Sequence, residues 1–438
     1  MKKIIILLLV TSLGSVSDAQ SVLTLKRGIE LGLEKNYEIQ IVRNQQQILD
    51  NDVTIGNAGY LPTLDLSTGY SGTINNTDQR KPTGETVSND GVHNQTLNAG
   101  VNLNWTIFDG FNIQANHSRL KELKLRGELN TRLTVEDFIS QFTTAYYNYI
   151  KQTISLKNLK YAVLLSKERV RIVEARHNIG TASMLELQQA RVDYNTDNSK
   201  LIKQHEVLYT LRTRLNEMIV SDNIDNKLTL ADTLISFNPL LNKEEILDKA
   251  LRINTELLLA QKEGRLSQLN LRMLQSENYP YLKVNAGYGY TQNVYETGTY
   301  DREKRLGFNY GVTLGFNLFD GFNRRRKQKN AKLEIENKQL EYQQTELAVR
   351  ADFANMWMAY LNNMKLEGQE RDNLKTARAN FDIAMDRYKL GDLAGIEIRE
   401  AQNSLLEAEE RLVQSQYDTK LCEISLMLIS GQIVSYVE

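Results

Sequence analysis

Glu397 and Glu400 stand three residues apart, the spacing that puts two carboxylates on one helix face. They follow Gly391 by six and nine residues, in the first turns of a helix, where acids also suit the positive end of the dipole. Taken alone, the pair reads as ordinary solvated acids, and so does Glu409-Glu410. His93, His117, His177 and His205 are scattered without metal-ligand spacing. A single cysteine, Cys422, excludes an internal disulfide framework and a multi-cysteine zinc site. No P-loop, Gly-x-Ser-x-Gly, His-Glu-x-x-His or Rossmann fingerprint occurs. The residues therefore predict no catalytic group, no cofactor and no metal, and the chain does not read as an enzyme. Arg324-Arg325-Arg326-Lys327 with Lys329 could suggest nucleic acid, but 53 basic residues face 54 acidic ones, a formal charge of −1. That balance argues against a nucleic-acid partner, and the run's place just after the second predicted β-hairpin makes it read as a solvated interfacial face.

The elements that position these residues are long. Of 438 residues only four are proline, with none between Pro82 and Pro239 or after Pro280. Mean hydropathy is −0.44, too polar for a bundle of membrane helices. Lys2 and Lys3, the apolar run Ile4–Val10 and small residues around Ala19 predict a signal peptide over 1–19, with the mature chain starting near Gln20. Beyond it the chain is a duplication. Phe108-Asp109-Gly110-Phe111-Asn112 recurs 211 positions later as Phe319-Asp320-Gly321-Phe322-Asn323, and Arg176, Gly180 and Glu186 meet Arg387, Gly391 and Glu397. Upstream the offset is 218, where Pro62 meets Pro280. So large a period means two copies of a half-molecule, not a solenoid. The copies span 20–220 and 243–438, joined by a linker at 221–242.

Each copy predicts a β-hairpin, about 62–109 and about 281–319. Leu97, Ala99, Val101, Leu103, Trp105 and Ile107 alternate with Asn98, Asn102, Asn104 and Thr106. Leu306 to Leu318 alternate likewise with Gly, Asn and Thr. One face is apolar and the other polar but uncharged, as in strands around the water-filled lumen of a membrane barrel. Loops are expected at 75–94 and near 292–303. Each hairpin is followed by a long helical hairpin, about 113–219 and about 322–430. The first helix, some 66 residues without proline, would be roughly 100 Å long. The return helices carry heptad seams, from Leu187, Ala190, Tyr194 and Asp197 to Met218, and from Ile398, Ala401, Leu405 and Ala408 to Ile429. Cys422 lies on the second seam, as a small core residue. Four strands cannot close a barrel, and two chains would give eight strands with a filled interior. Asn- and Gly-rich inner faces favour three chains and twelve strands.

The duplicated strand–strand–helix–turn–helix order, the signal peptide and the repeated Phe-Asp-Gly closely resemble the TolC-like outer-membrane efflux family, over essentially all of 21–433. The resemblance implies a mainly α fold with membrane β: a homotrimeric twelve-stranded barrel in the outer membrane of a Gram-negative bacterium, contacting its lipid, continuous with a helical periplasmic tunnel. It implies a passive export channel for small molecules, a periplasmic adaptor and an inner-membrane pump. The turns at Gly180-Thr181 and Gly391-Asp392 would be the adaptor-contacting tips. Glu397 and Glu400, with Tyr388 beside them, would line the narrow periplasmic entrance and attract cations. Copy one has Glu186 and Gln189 there, so only copy two offers two acids. Leu393 stands where the best-known member has a base, which argues against a latch built on it. Protein secretion or metal-ion efflux through the same conduit is the alternative; a coiled-coil scaffold or adhesin without a pore is a rival of another class.

Overall fold

Alternating apolar and polar residues pair into one antiparallel sheet of order β2-β3-β5-β6: Thr63–Arg80, Thr86–Asp109, Tyr281–Tyr295 and Arg302–Gly315. The computed structural model describes residues 22–297 and 300–437, so the predicted signal peptide and cleavage site lie outside the described residues. The short strands β1 (Val22–Leu23) and β4 (Thr229–Leu230) pair in parallel, docking the linker onto the start of the chain. Helices complete the order: α1 (Leu25–Lys35), α2 (Tyr37–Asp52), α3 (Ile55–Ala58), α4 (Asn112–Asn178), α5 (Met184–Met218), α6 (Lys243–Ile253), α7 (Thr255–Ser276), α8 (Asn323–Leu390), α9 (Gly395–Ile429) and α10 (Ile433–Val437). The contacts group them into two units, and each unit takes segments from both copies. One comprises 22–42, 132–255 and 346–437; the other comprises 43–131 and 256–345.

The sheet's register sorts the side chains by face. Leu66, Val101, Tyr288 and Phe308 form one apolar row, and Leu64, Leu103, Ala286 and Tyr310 the next. Between them, Asp65, Asn102, Gly287 and Asn309 form a polar row on the opposite face. A bulge at Ile107 then turns Phe108 onto the apolar face, opposite Leu282. Three expectations need correction. The stretch 75–94 is strand except for the turn 81–85, because cross-strand pairing from Asn75↔Val92 to Arg80↔Thr86 overrides its polar composition. Near 292–303 pairing likewise continues to Val294↔Arg302. Conversely, the last strand stops at Gly315, opposite Tyr281; Pro280 precedes that partner, so 316–318 find nothing to pair with.

The repeated Phe-Asp-Gly-Phe-Asn has a physical reading. Asp109 Oδ1 accepts from Ile113 N at 3.1 Å and Asp320 Oδ2 from Arg324 N at 2.7 Å, capping α4 and α8. Gly110, Phe111, Gly321 and Phe322 all have positive φ, turning the chain from strand into helix. Phe108 meets Phe111, and Phe319 meets Phe322, edge to face at 5.1 and 5.3 Å.

In the first unit, Phe138, Phe142 and Tyr146 recur at i+4 along α4 and are buried. Gly28 and Gly32 of α1 lie against Phe142 and Phe138, where an added Cβ would come within 2.3 and 2.0 Å of the rings. Cys422 is buried in this core, accepting from Asn363 Nδ2 at 3.5 Å, and burial pushes its thiol pKa up. After α9, Gly431 has φ 66° and caps the helix, its N–H bonding Leu428 O while Gln432 N bonds Met427 O. Its copy-one counterpart after α5 is Val220, held at φ 50° by the same two bonds, to Glu217 O and Asn216 O. A β-branched residue is strained there. Val220→Gly is expected to stabilise the chain by about 1 kcal/mol, read as a higher guanidinium midpoint; a lower midpoint would mean the Val220 side chain matters more than its backbone.

Candidate functional site: the helical tips

Both tips are built alike. Gly180 and Gly391, at φ 79° and 87°, end α4 and α8 with paired bonds: Gly180 N to His177 O and Thr181 N to Arg176 O, Gly391 N to Tyr388 O and Asp392 N to Arg387 O. The following helices differ in their caps. Ser183 Oγ accepts from Glu186 N at 3.1 Å, whereas Ala394 has no side chain to offer. There Glu397 reaches back instead, its Oε2 accepting from Ala394 N at 3.1 Å. Glu397 and Glu400 are both exposed. Gly180, Thr181, Gly391 and Asp392 are exposed as well.

Tyr388 lies in the core of the tip, not on its surface. Its ring is buried among Val173, Leu187, Phe381, Ile398 and Ala401. Burial raises its phenol pKa, against the pull of Arg169 and Arg176. Arg176 from the other tip donates to Tyr388 O at 2.6 Å and stacks its guanidinium 5.0 Å from the ring centre. Copy-two Arg387 makes no such reach, because Asp392 in its own turn pairs with it at 3.1 Å. Copy one has Thr181 at that position, which leaves Arg176 free to bridge the two tips. Sequence reasoning missed Arg176; the Asp392–Thr181 difference was the available signal.

The seam aspartate is the second residue whose role was missed. Asp197, 2% exposed, accepts two bonds from Arg399 of α9, at 2.6 and 2.8 Å, and one from Ser166. Burial alone would raise its pKa, but the Arg399 and Ser166 hydrogen bonds outweigh that and hold the carboxyl below its usual range. Arg169 pairs with Asp193 beside it, and Gln402 Nε2 reaches Ala162 O at 3.3 Å. A layer of buried charge thus ties α4 and α5 to α9 behind the exposed acids. Among the described residues no cluster of His, Cys, Asp or Glu could hold a metal ion.

Comparison with known proteins agrees with this architecture. The sequence profile described as outer membrane efflux protein matches residues 28–219 and 246–432. The outer membrane efflux protein BepC of Brucella suis is 20% identical over 426 residues, 96% of this chain and 89% of that protein. The outer membrane protein TolC of Vibrio cholerae is 20% identical over 441 residues, 99% of this chain and 96% of that protein. In fold, the Campylobacter jejuni CmeC outer membrane channel superposes with a TM-score of 0.78 at 16% identity, covering 93% of this chain and 85% of that one. With both halves matched by the profile, the chain belongs to the outer membrane efflux protein family.

Proposed function

We propose that three copies of this chain form a passive tunnel expelling small molecules across the periplasm and outer membrane of a Gram-negative cell. A periplasmic adaptor would dock at the tips and an inner-membrane pump would supply energy. One observation carries the reading. The sheet has an exposed apolar face, a face mostly of Asn, Ser, Thr and Gly that also carries Asp65 and Lys283, and two open edges, β2 and β6. Such an apolar face is not left bare in water, and an open edge is not tolerated in hydrocarbon. Three chains close the edges into twelve strands around a lumen. No described helix is long and apolar enough to cross a membrane. Leu333, Leu340 and Leu347, exposed at heptad spacing on α8, are ready to meet another helix.

Sedimentation in mild detergent and planar-bilayer recording test this together. A trimer mass with single-channel conductance is expected; a one-chain mass with full β-content, or a trimer that never conducts, would refute it.

On this reading Glu397 and Glu400 contribute six carboxylates around the threefold axis at the periplasmic entrance, with Tyr388 positioning their helix from behind. Glu397→Gln with Glu400→Gln should weaken cation selectivity and relieve block by divalent cations added from the tunnel side. Glutamine keeps an oxygen for the Ala394 N–H, so the turn survives. Selectivity and block like the parent's would remove these acids from the constriction.

A further inference from the structure

The copy-two junction between β6 and α8 opens on a cleft of about 470 Å3 with one apolar and one cationic wall. Phe316, Leu318, Phe319 and Phe322, all exposed, line the first; Arg324 and Arg325 line the second, with Asp320 beside Arg324. Arg324 is occupied, donating to Glu277 O and Asn317 O at 2.8 Å and facing Asp320 at 3.5 Å. Lys327 only approaches Glu277, at 3.8 Å. Arg325 and Lys329 make no ion pair with any described residue. Cations in the first turns of a helix oppose its dipole, so helix stability does not explain them. Copy one has Ile113, Gln114, Ala115, Asn116 and Ser118 at the positions of the five cations.

Copy one also shows what covers such a junction. Ser276–Tyr279 lies across it: Phe111 meets Tyr279 edge to face at 6.0 Å, and a Cβ on Gly110 would come within 2.3 Å of Ser276 O. Beneath that cover a cleft of about 530 Å3 persists, with Gln114 and Ser118 in its wall. In copy two the junction is bare, and a Cβ on Gly321 meets only Asn323, at 3.5 Å. By the 218-residue offset the covering segment there is Ala58–Leu61, which in a closed ring comes from a second copy of this chain. Residues 54–61 contain no acid. Covered or not, the cleft keeps Arg325, with Lys329 four residues further along α8, where copy one has Gln114 and Ser118, and the covering segment brings no acid to pair with them.

We propose that this cleft binds the phosphate of an anionic phospholipid in the leaflet facing the periplasm. Arg325 and Lys329 hold the phosphate, and an acyl chain runs along Phe319 and Phe322. The proposal rests on the barrel reading above. The sheet's apolar face ends between Leu314 and Leu318, which sets the cations at headgroup depth. A guanidinium fork matches phosphate oxygens in pairs. A trimer would carry three such sites, one at each chain-to-chain junction, alternating with three copy-one clefts.

Native mass spectrometry tests this on trimers released from phosphatidylcholine bilayers containing increasing phosphatidylglycerol. Up to three phosphatidylglycerol molecules per trimer should be retained. Arg325→Gln with Lys329→Gln should weaken retention roughly thirtyfold at low salt, while Gln114→Ala in the copy-one cleft should change nothing. Single-channel recordings on the same samples establish that each variant is assembled, and either single substitution serves if the double one is not. Equal retention by parent and variant overturns the lipid site. So does displacement of the lipid by excess inorganic phosphate, which would mark a free-anion site, or preferential capture of an acidic polypeptide. In those cases conductance stays intact; a parent that forms no conducting trimer overturns the channel reading as well, and the recordings tell the two failures apart.

Discussion

Asp197→Ala should destabilise the tips by about 3–5 kcal/mol, because it leaves the Arg399 guanidinium buried without its partner. The loss should show as accelerated hydrogen exchange in α4, α5 and α9 around Ser166, Asp197 and Gln402, with the sheet's exchange unchanged. A double change, Asp197→Leu with Arg399→Met, should recover most of it, since well-packed apolar groups replace a buried pair at little cost. The sign of the pH dependence follows from the depressed carboxyl. Its contribution is complete above the ordinary aspartate value of 3.8 and is lost as pH falls through the lower folded value. The parent's tips should therefore hold at pH 5 and loosen below about pH 4, whereas Asp197→Asn should flatten that dependence. Unchanged exchange in Asp197→Ala would show that the layer is decorative.

Gly391→Trp should abolish export and adaptor crosslinking while leaving trimer and barrel intact. At φ 87° any side chain is strained by about 1–2 kcal/mol, too little to unfold two helices of 68 and 35 residues. Gly391→Ala carries the same strain without the bulk and should still export. The indole would project from a tip whose nearest side-chain atom, Arg176 Nη2, lies 3.6 Å from the position of a Cβ. Export at the parent's level in Gly391→Trp would remove the docking role from this turn.

The strands and the tip turns were legible because their signals are local. Alternation over Leu97–Ile107 and glycine at the end of a long proline-free run need no knowledge of distant residues. The acid on the α5 seam was visible, but its partner Arg399 lies 202 residues away, and nothing near Asp197 names it. Arg176 and Tyr388 are 212 residues apart. The strand between Asn75 and Arg80 was misread because Asn, Asp and Thr favour turns locally, while the partner strand supplies the bonds that decide the matter. Exposure of Glu397 and Glu400 follows from helix periodicity, but the cap that Glu397 provides depends on Ala394 offering none.

The Asp197–Arg399 pair also bears on how a duplicated gene ages. Copy two has Ala408 where copy one has Asp197, and copy one has Gln188 where copy two has Arg399. A ring of six copy-one hairpins would bury a carboxylate facing glutamine; a ring of six copy-two hairpins would bury a guanidinium facing alanine. Each half carries only one member of the pair. Neither half can therefore replace its sibling without burying a charge that has no partner.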